Sequence, residues 1–254
     1  MSKTYIPGES KAQRKSRKKA EKARRNQEIK VASRVAPVVP QSKPAEKSPN
    51  ENHQIKKSDI VFVLGNGTSR KDILLEPLRQ HGTIYGCNAL YREFKPDYLI
   101  AVDTKMIREI SHNAYQMYNQ VWSNPNKYTR SVEKLNLFNP NLGWSSGPTA
   151  LNMASLQHPK EVYILGFDYQ GLGRRNELVN NLYAGTENYK KQHERATYFG
   201  NWQRQTSTVI KKNPKIRYIR VVLDEHYFVP ESLEGLDNLK HITVENFKKL
   251  FQNP

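Results

Sequence analysis

A single cysteine, Cys87, stands in 254 residues, which excludes an internal disulfide framework and a cysteine-cluster zinc site. Long apolar runs are missing too. None approaches the roughly 20 residues that a membrane-spanning helix requires. Acidic residues are scarce beside basic ones, with 24 Asp/Glu against 41 Lys/Arg and a formal net charge of +17. Apolar residues make up 37%, fewer than in an ordinary globular domain. Lys and Arg fill the region where the apolar core of a signal peptide would follow the first residues. The cytoplasm is the expected compartment.

The charge is unevenly placed. Residues 1–57 carry 16 Lys/Arg against five Asp/Glu, so +11 of the +17 sits in less than a quarter of the chain. Lys11–Arg25 reads KAQRKSRKKAEKARR, a helix-forming composition with no apolar stripe to bury. Val31–Pro49 follows with prolines at 37, 40, 44 and 49, the composition of a flexible linker. Residues 1–57 are therefore expected to form a disordered basic tail. It is either a solvated tail or, through residues 11–34, a non-specific contact with nucleic acid or another polyanion, bound by counterion release. No aromatic is interleaved among the charges, which argues against base stacking. Glu9, Glu21 and Glu28 argue against a mitochondrial transit peptide.

Order is expected from about Asp59, with residues 58–254 forming one domain. Ile60–Leu64, IVFVL, is apolar without alternation, as in a strand buried on both faces of a parallel sheet. Further strands are expected at 83–85, 98–102, 120–122, 161–165 and 216–222. Helices are expected at 72–80, 148–157, 187–212 and 244–251. Strands alternating with helices predict an α/β fold, a single doubly wound, mostly parallel sheet of Rossmann-like type.

In such sheets ligands sit beyond the carboxyl ends of the strands. Four predicted strands end in small or polar groups: Gly65-Asn66-Gly67-Thr68-Ser69, Gly86-Cys87-Asn88, Val102-Asp103 and Gly166-Phe167-Asp168. Arg70 stands where a dinucleotide fingerprint would place its third glycine, so the first is neither that motif nor a phosphate loop. By itself it is a tight strand-to-helix turn or an anion-holding loop with Ser69 and the following amides as donors. Ser145 and Ser146 precede Gly147-Pro148 at a helix start, as caps or as phosphate donors. Asn88 offers a donor and an acceptor together. Asp103 and Asp168 can each hold a ribose hydroxyl, a metal or a neighbouring amide. Tyr198, Phe199 and Trp202 are expected in the core of the long helix rather than as a sugar platform.

Taken in order, GNGTS, CNALY, SSG and EVYILGFDY resemble the bacterial sialyltransferases of glycosyltransferase family 42. They also resemble motility-accessory and pterin-pyrophosphokinase-like proteins with a "GNGPS … SG … GxD" skeleton. The similarity covers Asp59 to Val222, with Thr68 where that motif has proline. It implies a nucleotide-sugar pocket lined by Asn66, Ser69, Asn88, Ser146 and Gly147, with Gly166 to Asp168 as its floor. With Gly65, Gly67, Asp103 and Ser145 from the strand ends and helix start, these are the expected nucleotide-binding residues, and a cytidine or uridine nucleotide is favoured. The resemblance also implies a catalytic histidine, for which His193 is the candidate, and phosphate-steadying tyrosines at Tyr183 and Tyr189. Asn180–Gly185 would serve as a lid. The expected reaction transfers a sugar to a hydroxyl of an acceptor glycan or another compound, with no cofactor required. Two alternatives stand beside it. One is a pyrophosphokinase-like phosphotransferase using Mg²⁺ held by Asp103 and Asp168. The other is a non-catalytic nucleotide-binding or assembly protein with a nucleic-acid-binding tail.

A chain beginning at Asp59 is expected to give one cooperative urea transition by circular dichroism. Nucleic-acid binding by the full chain should weaken steeply between about 50 and 200 mM salt and vanish without the tail.

Overall fold

Every second residue of Ile60–Leu64 faces the same side of a sheet, and the two sides differ in what covers them. Phe62 and Leu64 pack on one side, and Val61 and Val63 on the other. The computed structural model describes residues 58–252; the expected basic tail and its nucleic-acid contact lie outside the described residues.

Among the described residues eight strands form one sheet: β1 Ile60–Leu64, β2 Thr83–Cys87, β3 Tyr98–Ile100, β4 Val121–Ser123, β5 Asn136–Leu137, β6 Glu161–Leu165, β7 Arg217–Val222 and β8 Leu239–Thr243. Their order is β5-β4-β3-β2-β1-β6-β7-β8, and every pairing is parallel. The order reverses between β1 and β6, the topological switch point of the sheet. The fold is α/β and Rossmann-like.

Helices cover both faces. On the side of Phe62, helix α1 (Thr104–His112) buries Met106, Ile107 and Ile110, and α4 (Val244–Phe251) buries Val244, Phe247 and Phe251. These spacings are one face of an amphipathic helix. The side chain of Thr243 accepts the Asn246 amide, capping α4. On the side of Val61, α2 (Ser146–Ser155) and α3 (Gly200–Lys212) contribute Ala150, Leu151, Val209 and Ile210. No helix among the described residues is long and apolar enough to cross a membrane.

Several local expectations need correction. Segment 72–80 is not α-helical; short 3₁₀ turns form at Thr68–Arg70 and Glu76–Gln80, the second with Pro77 in its first turn. The long helix begins at Gly200, not 187. Residues 187–199 instead make distant backbone bonds, with Val179 N donating to Glu194 O and Ala196 N to Glu177 O. Helical pairing would forfeit these bonds. Tyr198 therefore lies outside the helix and is exposed. Strands β5 and β8 and helix α1 go beyond the sequence expectation, being short or largely polar.

Phe62 is fully buried among Tyr163, Phe247 and Phe251, with ring centroids 5.1–6.2 Å away. Phe62→Ala should cost about 3–5 kcal/mol in urea unfolding. Leu74→Ala, at an exposed side chain, should stay within about 0.5 kcal/mol.

Candidate functional site

The loops that leave β1 and β6 meet backbone to backbone. Gly65 N donates to Leu165 O at 2.8 Å, and Gly67 N to Gly166 O at 2.9 Å. A Cβ on Gly67 would stand 2.5–2.7 Å from the carboxylate of Asp168, so any side chain there would push that carboxylate aside. That carboxylate accepts the Ser69 amide at 3.1 Å and the Ser69 hydroxyl. Of the roles open to Asp168, the structure assigns the neighbouring amide. Ser69 is buried in this clamp and does not line the cavity above it.

The cavity has a volume of about 670 Å³ and opens over the carboxyl ends of β1, β2, β3, β4 and β6. Gly65, Asn66, Gly67, Asn88, Asp103 and Asp168 line it, as do Ser145, Ser146, Gly147 and Tyr189. Three lining residues other than glycine, namely Asn88, Tyr169 and Asn188, have φ between +52° and +68°. Such backbone is uncommon outside glycine and gathers at functional sites.

Ser146 joins three elements. Its hydroxyl accepts Val102 N at 3.1 Å, beyond β3, and donates to Asn88 Oδ1 at 2.8 Å, beyond β2. Asn88 is thereby oriented, and its Nδ2 makes no hydrogen bond among the described residues. Ser145 occupies the N-cap position of α2, yet its hydroxyl makes no capping bond. Its amide donates to Gln205 of α3 at 3.1 Å. Oδ1 of Asn66 is buried without a protein partner, leaving an acceptor for a ligand donor.

Two buried guanidinium groups brace the floor. Arg70 is 3% exposed; Nε donates to Gly65 O at 2.6 Å, and an outer nitrogen donates to Glu93 and to the Tyr183 hydroxyl at 3.1 and 3.0 Å. Arg220, on β7, donates to the carbonyls of Phe167, Asp168 and Phe228 at 2.8–3.0 Å. Burial lowers the Arg220 pKa, but a guanidinium keeps its charge in proteins. Both cations lie behind loops that line the cavity.

Residues 180–189 are pinned to the β1 loop instead of standing free as a lid. Asn180 Oδ1 accepts the amide and hydroxyl of Thr68 at 3.0 and 2.7 Å, and Leu182 N donates to Asn66 O at 2.8 Å. The Tyr189 hydroxyl accepts Asn66 Nδ2 at 3.2 Å and Ala89 N at 3.3 Å. Tyr183 is drawn out of the cavity: its hydroxyl donates to Glu93 at 2.5 Å under the loop. Burial pushes both phenols well above their ordinary pKa.

His193 is exposed on the segment before α3 and does not line the cavity, and among the described residues no other histidine does. Phe199 and Trp202 do line it, Trp202 while also packing on the core. Sequence reading missed Trp144, Asn188 and the role of Arg70, and placed Asn180 in a lid. An arginine six residues after an apolar strand was the available signal for Arg70. The asparagines carry no periodicity that would mark them. Among the described residues no three His, Cys, Asp or Glu side chains gather as metal ligands. Asp103 and Asp168 both line the cavity, Asp168 with its carboxylate held by Ser69.

No family model, curated protein or solved structure matches this chain. The likeness to the sialyltransferases therefore rests on the quoted motifs.

Gly67→Ala should displace Asp168 from Ser69 and cost about 1–3 kcal/mol, the range for overpacking. Urea unfolding measures it.

Proposed function

We propose that the cavity binds a nucleotide sugar, and that the protein is a sialyltransferase-like glycosyltransferase moving the sugar to an acceptor hydroxyl. The observation that carries this reading is the cavity's position at the switch point between β1 and β6, with Arg70 and Arg220 buried behind its floor. Arg70 is paired with Glu93, so it is the charge of Arg220, held by carbonyls alone, that favours an anionic group above the loops. The amides of Ser146 and Gly147 open helix α2 on the same cavity and add the positive end of its dipole. Lys190 lines the cavity as well and supplies a cation. Asn66 Oδ1 and Asn88 Nδ2 supply an acceptor and a donor for a base or ribose. Phe199, Trp202 and Trp144 give an apolar wall against which a flat ring can lie.

A departing nucleotide gains charge on its phosphate, and groups placed beforehand stabilise that charge. Helix α2, Lys190 and the braced loops are so placed. The position of His193 favours a second reading, a nucleotide-binding protein without catalysis.

Thermal-shift titration with cytidine, uridine, adenosine and guanosine nucleotides tests the reading. Stabilisation by a cytidine or uridine nucleotide is expected. Asn66→Ala and Asn88→Gly should each weaken that binding by about 1–3 kcal/mol, and glycine keeps the positive φ at position 88. Wild-type affinity in both variants would remove the pocket assignment. Binding without turnover of any sugar nucleotide would select the second reading.

A further inference from the structure

Six titratable residues line the cavity: Cys87, Asp103, Asp168, Tyr169, Tyr189 and Lys190. Five are buried or already engaged by neighbouring groups. Burial pushes the Cys87 thiol up to about 12, so it stays protonated. Asp168 is tied to the amide and hydroxyl of Ser69. Tyr169 is buried with its hydroxyl donating to Thr206 at 2.7 Å. The Tyr189 hydroxyl already accepts two hydrogen bonds, and Lys190 is a cation that donates to Arg195 O at 3.1 Å.

Asp103 differs from all of these. It follows β3 at the N-cap position of α1, where its side chain makes no capping bond. It is exposed, and its carboxylate has no hydrogen bond or ion pair among the described residues. The preceding residue, Val102, is held by Ser146, which fixes the backbone at the cavity wall. A second hollow runs along the outer face of α1, lined by Lys105, Arg108 and His112, and it shares Asn188, Tyr189 and Lys190 with the cavity. Asp103 thus lines the cavity at the N-terminal end of α1, the helix along which that hollow runs.

We infer that Asp103 is the general base of the transfer, an assignment that rests on the glycosyltransferase reading above. In that step the acceptor hydroxyl oxygen bonds to the anomeric carbon of the donor sugar. The bond from that carbon to the nucleotide phosphate oxygen breaks, and its electron pair leaves with the nucleotide. The acceptor proton passes to a carboxylate oxygen of Asp103, which afterwards releases it to water.

The test uses the full chain with cytidine-monophosphate sialic acid, uridine-diphosphate glucose and uridine-diphosphate N-acetylglucosamine as donors, following nucleotide release with lactose or with water as acceptor. Asp103→Asn keeps the size of the side chain and a residue suited to the helix start. Release should fall about 10²–10⁴-fold while affinity for cytidine or uridine monophosphate changes less than about twofold. In Asp103→Ala, added formate should restore part of the lost rate, which a purely structural role would not allow. Unchanged release in Asp103→Asn, or a parallel loss of nucleotide affinity, would overturn the assignment and leave the transferase reading standing. A wild-type chain that binds nucleotides but releases none from these donors would sink both.

Discussion

Two loops at the centre of the sheet approach so closely that their backbones hydrogen bond, and this contact sets the rest of the site. Gly65, Gly67 and Gly166 permit it, because a side chain on any of them would meet main chain or the Asp168 carboxylate within 3 Å. Asp168 then reaches Ser69, and the turn after β1 is fixed against the turn after β6. Everything lining the cavity floor is referred to that junction. Arg70 and Arg220 hold the two loops from behind through carbonyl oxygens, one on each side of it.

The α/β class was legible because buried parallel strands need apolar side chains on both faces. Ile60–Leu64 and Glu161–Leu165 carry that signature in a few residues, and both strands have the bounds expected of them. Helix α1 was harder to see, since only Met106, Ile107 and Ile110 are buried in a polar segment. β8 sits at the sheet edge and is mostly half-buried, so its sequence lacks a continuous apolar run. The segment between β6 and α3 was misread as partly helical. Its conformation comes from bonds to residues some 15–20 positions away and to the β1 loop, and local composition does not encode those.

The candidate site divides the same way. Strand ends pointed to Asn66, Asn88, Asp103 and Asp168, because topology alone brings strand ends together, and a helix start pointed to Ser146. Which of them remain available to a ligand depended on side-chain partners that no spacing reveals. Ser69 and Asp168 satisfy each other, while Asn66 Oδ1 and the Asp103 carboxylate do not find partners among the described residues. His193 rested on distance along the chain, and the looped path before α3 carries it away from the cavity.

The pinning of residues 180–189 has a consequence for how this sequence can change. Thr68 and Asn180, Arg70 and Tyr183, and Asn66 and Tyr189 are partners separated by more than 110 positions. A substitution at one member strands a polar group on the other, so these pairs should drift together or not at all. Anyone transplanting the glycine loop into another parallel sheet would have to carry the distant segment with it. The functional unit is thus discontinuous in the gene, although in space it is one small patch.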